Sequence, residues 1–294
     1  MRIVVTGARG RLGSALVEAY AGRPGIDAVV AFARSDLDIA SPAAVAAALE
    51  RAAPDVIVNA AAMAGVDEAE ERAVDALNVN AFGVQTLAQE ASRRGAMLVH
   101  FSTDFVFDGT ASVPYRETDP TNPRSVYGIS KRLGEWFATD APRGYVLRVE
   151  TLFGPQAHAA QSKGSVATIV DALKAGQSPN VFTDRTVSPT YIPDAVWATV
   201  RLIESAPPPG VYHCVNTGSC TWHEFAVELA RQLGVEPRVT AVRFVETPMK
   251  APRPQFCALS NEKLRSVGID MPAWQDAVKR YVRAIADCGL RTAD

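Results

Sequence analysis

The sequence predicts an α/β protein with a doubly wound parallel sheet and a smaller C-terminal lobe interleaved with it. Three observations predict this fold. Short β-branched runs alternate with helical patterns of ten or more residues, a glycine-rich turn joins the first strand to the first helix, and the alternation stops near residues 153–155. Strands separated by such helices pair in parallel, and the helices cover both faces of the sheet. A chain of 294 residues can form this domain and a second lobe.

The beginning of the chain carries the strongest local signal. The run Arg2–Val5 predicts a buried strand, Gly7, Gly10 and Gly13 follow it, and an apolar helical pattern begins at Leu12. The first glycine permits a tight turn, the second lets backbone N–H groups approach a diphosphate, and the third lets the helix pack on the strand. This order predicts a dinucleotide site. The alternative is a strand–turn–helix unit that needs its glycines for structure alone.

The remaining elements follow along the chain. Buried strands are expected at residues 28–33, 55–59, 97–101, 145–149 and 211–215, with a short segment at 36–39. Helices are expected at residues 42–53, 75–94, from 127 onward, 194–205, from 222 onward and 274–286. Right-handed crossovers place the carboxyl ends of parallel strands along one edge of the sheet. Gly7, Asn59 and Thr103 are therefore expected at the same edge.

The order of these elements predicts the domain boundaries. A dinucleotide-binding domain is expected over residues 1–155, and residues 191–216 are expected to return to its sheet. A substrate-binding lobe is expected over residues 156–190 and 217–294. Because no repeat or low-complexity linker separates the two, we expect an interleaved lobe rather than a tethered one.

Composition excludes several classes of partner. A net charge of −2 provides no basic field for nucleic acid, and no apolar run approaches the ~20 residues that a membrane span needs. The four cysteines form no C-x-x-C pair, and the four histidines lack metal-ligand spacing. We therefore expect a cytoplasmic protein without a metal site, nucleic-acid partner or membrane partner.

The sequence Tyr127-x-x-x-Lys131 is the candidate catalytic pair. Residues four apart share one helix face, and a nearby ammonium lowers the pKa of a phenol. The phenol can then exchange a proton with a carbonyl or alcohol oxygen while a nicotinamide exchanges hydride. Thr103, at the end of a predicted strand, would hydrogen-bond the same oxygen. The alternative for Tyr127 and Lys131 is a solvated helix face.

Together, the glycine turn and Thr103, Tyr127 and Lys131 resemble the short-chain dehydrogenases. Longer matches resemble the dTDP-4-dehydrorhamnose reductase family, and they cover residues 65–70, 78–81, 102–109, 127–131, 188–191, 210–213 and 253–254. The resemblance implies an extended, Rossmann-type short-chain fold. It also implies NAD(P)H-dependent reduction of a nucleotide-linked 4-keto-6-deoxy sugar, and a homodimer is left open.

The resemblance also implies roles for individual residues. The catalytic set is Tyr127 as proton donor, Lys131, Thr103 and Asn80 in a proton relay. The cofactor set is Gly7, Arg9, Gly10, Arg11, Leu12, Gly13, Arg34, Asp38, Ile39, Asn59, Ala60, Ala61, Asn80, Tyr127 and Lys131. The substrate set is Val66, Asp104, Phe105, Thr151, Thr190 and Arg253. Arg253 is expected near the nucleotide diphosphate, with a plain surface arginine as the alternative.

Two departures from the family pattern lie on the sugar side. The pattern resembles R-T-S-W where this chain has Arg148-Val149-Glu150-Thr151, and S-T-D-Y-V-F where it has Phe105 in place of the tyrosine. Both departures bear on the identity of the sugar and leave the redox residues intact. Residues 147–154 are also similar to the regulatory β subunit of methionine adenosyltransferase, so a non-catalytic NADP-binding partner protein is one alternative. A nucleotide-sugar epimerase or dehydratase of the same fold is another.

Cofactor preference is predicted from the end of the second strand. An acidic residue there would bind the ribose 2′-hydroxyl and select NAD, but the chain has Ala33-Arg34. Arg34, with Arg9 and Arg11 in the glycine loop, suits a 2′-phosphate, so NADPH is favoured over NADH. Solvated arginines are the alternative. Asp38 and Ile39 resemble the adenine-side residues of the family.

Overall fold

The computed structural model describes residues 1–155 and 164–291. Its strands are β1 Arg2–Thr6, β2 Ala28–Phe32, β3 Val56–Asn59, β4 Met97–Thr103, β5 Gly144–Val149, β6 Leu152–Phe153, β7 Asn180–Phe182, β8 Thr186–Val187, β9 Thr190–Tyr191, β10 Gly210–His213, β11 Cys220–Thr221 and β12 Thr240–Val242. Its α-helices are α1 Arg11–Tyr20, α2 Pro42–Ala52, α3 Val66–Glu71, α4 Ala73–Leu77, α5 Gly83–Arg94, α6 Val126–Asp140, α7 Ser165–Lys174, α8 Ile192–Ser205, α9 Trp222–Leu233, α10 Glu262–Ser266 and α11 Trp274–Arg291.

The main sheet has six strands, all parallel, in the order β10-β5-β4-β3-β1-β2. The predicted α/β class with a parallel sheet is therefore confirmed. The strand order reverses between β1 and β3, where ligands bind in open α/β sheets. β10 is an edge strand that pairs with β5, so residues 210–213 lie in this sheet.

Two hydrophobic cores cover the faces of the sheet. Leu16 and Tyr20 of α1 and Ile203 of α8 pack on one face. Leu49 of α2 and Leu87 of α5 pack on the other. Burial on both faces accounts for strands that are apolar throughout rather than alternating.

A third core forms the smaller lobe. It surrounds Phe153, whose ring makes edge contacts at 5.5 Å with both Phe225 of α9 and Tyr281 of α11. The Arg280 guanidinium donates to both carboxylate oxygens of Asp194 at 2.7 Å, which fixes α11 to α8. Residues 156–163 and 292–294 of the predicted lobe lie outside the described residues.

Two local predictions gain detail from the structure. Residues 36–39, predicted only as a short segment, lie in two successive turns, because Asp36 and Asp38 accept hydrogen bonds from nearby backbone N–H groups. The helix predicted at 75–94 is interrupted by a π-helical turn over Asn78–Phe82.

Among the described residues, no helix is long and apolar enough to cross a membrane.

Candidate active site

The glycine turn is built as its spacing predicts. Gly7 has φ +68°, and a Cβ there would lie 2.6 Å from the main chain of Ala60 at the end of β3. A Cβ on Gly13 would lie 2.1 Å from the Gly7 carbonyl oxygen. Both contacts require glycine, and they bring the start of α1 against the turn. The first helical N–H groups, with Gly10 as an N-cap lacking a side chain, are therefore available to an anion.

A cavity of about 250 Å³ lies beside this turn, at the carboxyl ends of β1 and β3. Its lining includes the predicted residues Gly7, Arg9, Gly10, Arg34, Asp38, Ile39, Ala60 and Ala61. It also includes Leu37, Ala62, Met63, Arg72, Asp75 and Val79, which the sequence analysis did not identify. A helix N-terminus, close-packed glycines and exposed arginines fit the diphosphate and phosphate groups of a dinucleotide.

Arg11 lies apart from the other two arginines of the predicted phosphate site. Its guanidinium donates to the Leu152 carbonyl oxygen at 3.2 Å, and burial lowers its pKa. The structure therefore does not bring Arg11 beside Arg9 and Arg34, because the side chain extends toward the smaller lobe. Leu12 and Gly13 are buried within α1.

Tyr127 and Thr103 meet at the start of α6. The Ser125 hydroxyl caps this helix by accepting from the Gly128 N–H at 3.1 Å, which sets Tyr127 in its first turn. The Tyr127 ring makes an edge contact with Phe105 at 5.5 Å. Burial and the nearby Asp104 carboxyl raise the pKa of Tyr127 to about 12, while a hydrogen bond with Thr103 acts in the opposite direction.

Lys131 makes different contacts from those expected. Its ammonium donates to the Phe101 carbonyl oxygen at 2.5 Å and lies 3.3 Å from His100 Nε2. Burial lowers the pKa of Lys131 to about 8. The expected lowering of the Tyr127 pKa by this ammonium is not seen, because burial of the phenol dominates and the ammonium is bonded to Phe101 and His100 instead.

A series of buried, hydrogen-bonded polar side chains leads from Thr6 to Lys131. Thr6 Oγ1 donates to Asn59 Oδ1 at 2.7 Å, and Asn59 Nδ2 lies 3.0 Å from His100 Nδ1. The Ala61 N–H also donates to Asn59 Oδ1, at 3.2 Å, which fixes the orientation of the amide. Asn59 is thus a buried residue that orders the strand ends.

Asn80 is held by structural hydrogen bonds. Its side chain accepts from the Met63 N–H at 2.9 Å and donates to the Met63 carbonyl oxygen and to Ser130 Oγ, both at 3.0 Å. These contacts occupy both N–H donors of the amide and fix the segment after β3 to α6. The proton relay through Asn80 stays a prediction.

A buried charged cluster lies next to Thr103, and three of its four members were not predicted from the sequence. Asp104, Glu150 and Cys257 offer donor atoms that all lie within 4.8 Å of one another. Arg185 is the fourth member: its guanidinium lies 3.7 Å from Cys257 Sγ and donates to the Pro254 carbonyl oxygen at 3.1 Å. A guanidinium already supplies the positive charge in this cluster. The members come from distant segments, and the one local signal was an acidic residue directly after β5.

A second cavity, of about 610 Å³, opens in the smaller lobe. Arg185 and Arg253 line it together with the aromatic side chains of Phe182 and Trp222. The guanidinium of Arg253 donates to Asp67 at 2.8 Å. Two arginines beside aromatic rings suit a ligand that carries both phosphate and a flat base.

The other predicted substrate residues are dispersed. Thr190 is 0% exposed, and its hydroxyl accepts from the Glu150 N–H at 3.2 Å, so it supports the site from beneath. Thr151 has φ +40°, a strained conformation for a β-branched residue. Val66 begins α3 and is half-buried, and Phe105 lies beneath the Arg185 guanidinium, 5.9 Å from ring centroid to Cζ.

Comparisons with known proteins agree with this geometry. The RmlD substrate binding domain family matches residues 1–286. The chain belongs to this family. The resemblance expected from the sequence is therefore confirmed.

Individual relatives match over almost their whole length. The spore coat polysaccharide biosynthesis protein SpsK of Bacillus subtilis is 34% identical over 96% of this chain and 97% of its own. A dTDP-4-dehydrorhamnose reductase of Burkholderia thailandensis is 36% identical over 96% and 98%. Among solved structures, dTDP-4-dehydrorhamnose reductase from Bacillus anthracis in complex with NADP has a TM-score of 0.87 and 31% identity, covering 95% of this chain and 98% of that one.

Proposed function

We propose that the protein is an NADPH-dependent reductase that reduces the 4-keto group of a nucleotide-linked 6-deoxy sugar. The observation that carries the proposal is the position of Thr103 and Tyr127 at the carboxyl edge of the sheet that also bears the glycine-turn cavity. Family membership and the reductase names of its relatives support the reaction class.

In this proposal Tyr127 is the proton donor. A pKa of about 12 keeps the phenol protonated at neutral pH, as a donor to a ketone oxygen must be. A bound nicotinamide supplies the hydride for the carbonyl carbon. Thr103 holds the carbonyl oxygen, and Lys131, anchored by Phe101 and His100, would contact the bound cofactor.

The nucleotide is assigned to the cavity of the smaller lobe. Arg185 and Arg253 would contact the diphosphate, and Trp222 or Phe182 would stack on the base. The sugar would lie between this cavity and Tyr127, beside Phe105. Thus residues 1–155 with 191–216 would bind the cofactor, and the described parts of 156–190 and 217–294 would bind the nucleotide.

The preference for NADPH rests on charge. Arg9 and Arg34 line the glycine-turn cavity and are both exposed, and no acidic residue ends β2. Guanidinium groups bind a 2′-phosphate through charge-assisted hydrogen bonds. Arg72 lines the same cavity and adds a third positive charge, although it pairs with Glu68 and Asp75.

The buried thiols of Cys214, Cys220 and Cys257 support a reducing compartment, the cytoplasm.

The test is a panel of nucleotide-linked 4-keto-6-deoxy sugars that differ in nucleotide and sugar. The purified protein should oxidise NADPH with at least one of them and form the 4-hydroxy product. Cofactor binding without oxidation on any sugar would favour the regulatory-subunit alternative. Conversion of a nucleotide sugar without net NADPH consumption would favour an epimerase or dehydratase.

A further inference from the structure

We propose that Asp104 and Glu150 together hold one proton, and that this proton lets the Thr103 hydroxyl donate to the substrate carbonyl. Asp104 directly follows β4 and Glu150 directly follows β5, so adjacent strands bring the two carboxyl groups together. Each residue is 3% exposed. The inference rests on the proposed function for its catalytic part, while the shared proton is a property of the resting protein.

Each of the two acids has one carboxylate oxygen that lacks a hydrogen-bond partner. Glu150 Oε2 accepts from the Ser188 N–H at 2.5 Å, and Asp104 Oδ1 is 2.9 Å from Thr103 Oγ1. Asp104 Oδ2 and Glu150 Oε1 are buried and have no hydrogen-bond partner in the described structure. Burying an unpaired carboxylate oxygen is costly, and a single proton between the two acids can provide for both atoms.

The charges around Asp104 and Glu150 also favour a single proton shared by the two acids. Arg185 is the cation that faces both acids, and Tyr127 and Cys257 are their other titratable neighbours in the cluster. Two neighbouring carboxylates with one guanidinium would leave a buried excess of negative charge, whereas a pair with one proton is neutralised. Burial raises the pKa of both acids, in agreement with one retained proton.

The protonation of Asp104 determines what Thr103 can do. The Phe105 N–H donates to Thr103 Oγ1 at 3.2 Å, and the hydroxyl has a single proton of its own. If Asp104 is ionised, Thr103 donates that proton to Oδ1 and has none for a carbonyl oxygen. If Asp104 carries the shared proton on Oδ2, facing Glu150 Oε1, then Oδ1 belongs to a neutral acid and is a weaker acceptor, so Thr103 can turn its proton to the carbonyl oxygen. Moving the proton within the pair changes no net charge.

Glu150 is therefore a positioning residue that acts through Asp104 and Thr103. It stands where the family pattern R-T-S-W has serine, so the acid pair departs from that pattern. Its effect should appear in kcat, because the hydrogen bond to the carbonyl oxygen strengthens as negative charge develops there.

The first experiment measures the shared proton in the wild-type protein without substrate. Infrared spectra at pH 7 should contain the C=O stretch of a protonated carboxylic acid, and ¹³C-carboxyl labelling of aspartate or glutamate should shift it. Glu150→Gln should abolish this band. Glu117→Gln is the matched control, because burial also raises the pKa of Glu117, and it should leave the Asp104–Glu150 band in place. Absence of the band in the wild type overturns the inference, whatever the protein reduces.

The second experiment measures kcat and asks whether a second substitution restores the activity lost in Glu150→Gln. In Glu150→Gln, the new amide donates to Asp104 and keeps it ionised, so kcat should fall roughly 10- to 100-fold with the Kd for NADPH unchanged. In the double variant Glu150→Gln/Asp104→Asn, the Asn amide can donate to Thr103 permanently, so most of the lost kcat should return. A double variant slower than Glu150→Gln overturns the inference. Failure of the wild type to reduce any sugar would instead overturn the proposed function.

Discussion

Arg253 donates a hydrogen bond of 2.8 Å to the carboxylate of Asp67, and this contact joins the smaller lobe to the helix after β3. The Ala251 N–H donates to the same carboxylate at 3.0 Å, and Lys250 pairs with Glu71 one turn further along α3. Arg253 also lines the lobe cavity. The arginine assigned to the diphosphate is thus already paired with an acid that is 49% exposed.

A diphosphate would have to replace Asp67 as the partner of Arg253. Exposed ion pairs contribute only about 0.2–1 kcal/mol, so an anionic ligand can compete with this one. Arg253→Ala should raise the KM for the nucleotide sugar about 10-fold or more, because a charge-assisted contact is lost. Asp67→Asn should lower KM, by at most about fivefold.

Steady-state kinetics with a saturating cofactor measures both effects. Glu71→Gln is the matched control: it breaks the neighbouring Lys250 contact, leaves Arg253 paired, and should not change KM. An unchanged KM in Arg253→Ala would make Arg253 a surface residue and remove the diphosphate from this position.

The assignment of Tyr127 as proton donor is tested by Tyr127→Phe. The variant keeps the ring against Phe105 but removes the proton, so turnover should fall by ~10²-fold or more while the Kd for NADPH is retained. Tyr145→Phe is the control, because its hydroxyl bonds Pro207 near the opposite end of the sheet. Normal turnover in Tyr127→Phe would require another acid.

The sequence predicted those parts of the fold and site that depend on local geometry. The turn at Gly7 was predictable because close backbone packing excludes a Cβ there. The helix at 75–94 was not predicted correctly, because its π-helical turn at 78–82 keeps a helical apolar pattern on both sides. Asn80 lies in that turn, and its partners come from a loop 17 residues earlier and from α6.

The missed residues of the site are those with long-range partners. Arg185, Glu150 and Cys257 meet Asp104 through contacts that span separate segments of the chain, and none has a local motif. Arg11 was predicted to bind phosphate because it lies in the glycine loop. Its side chain instead bonds to β6, 141 residues away, so its sequence neighbours did not predict its partner. Long charged side chains are placed by tertiary packing rather than by neighbours in sequence.

The preference for NADPH is tested at Arg34, which is exposed and lines the glycine-turn cavity. Loss of a charge-assisted contact to a 2′-phosphate should cost about 1.5–3 kcal/mol. Arg34→Ala should therefore weaken NADPH binding by roughly 10- to 150-fold and leave NADH binding nearly unchanged. Arg51→Ala, at the end of α2 and outside the cavity, should alter neither. Calorimetric titration of the wild type and both variants with each cofactor measures these affinities, and equal losses for both cofactors would contradict a 2′-phosphate contact.

The buried ammonium of Lys131 predicts a pH dependence of stability. Its pKa is about 8 in the folded protein, against 10.5 for an ordinary lysine, because burial penalises the charged form. Between these values the unfolded chain binds more protons than the folded one, so this residue makes stability rise with pH. The full shift corresponds to roughly 3 kcal/mol.

Lys131→Met removes that titration. Without cofactor, its stability advantage over the wild type should be largest below pH 8 and should shrink as pH rises to about 10.5. Urea unfolding of both proteins across this range measures the difference, which cancels the titration of the tyrosines they share. Lys174→Met, at an exposed position that ends α7, should give a difference independent of pH. A pH-independent difference for Lys131→Met as well would show that burial does not depress the pKa of this ammonium.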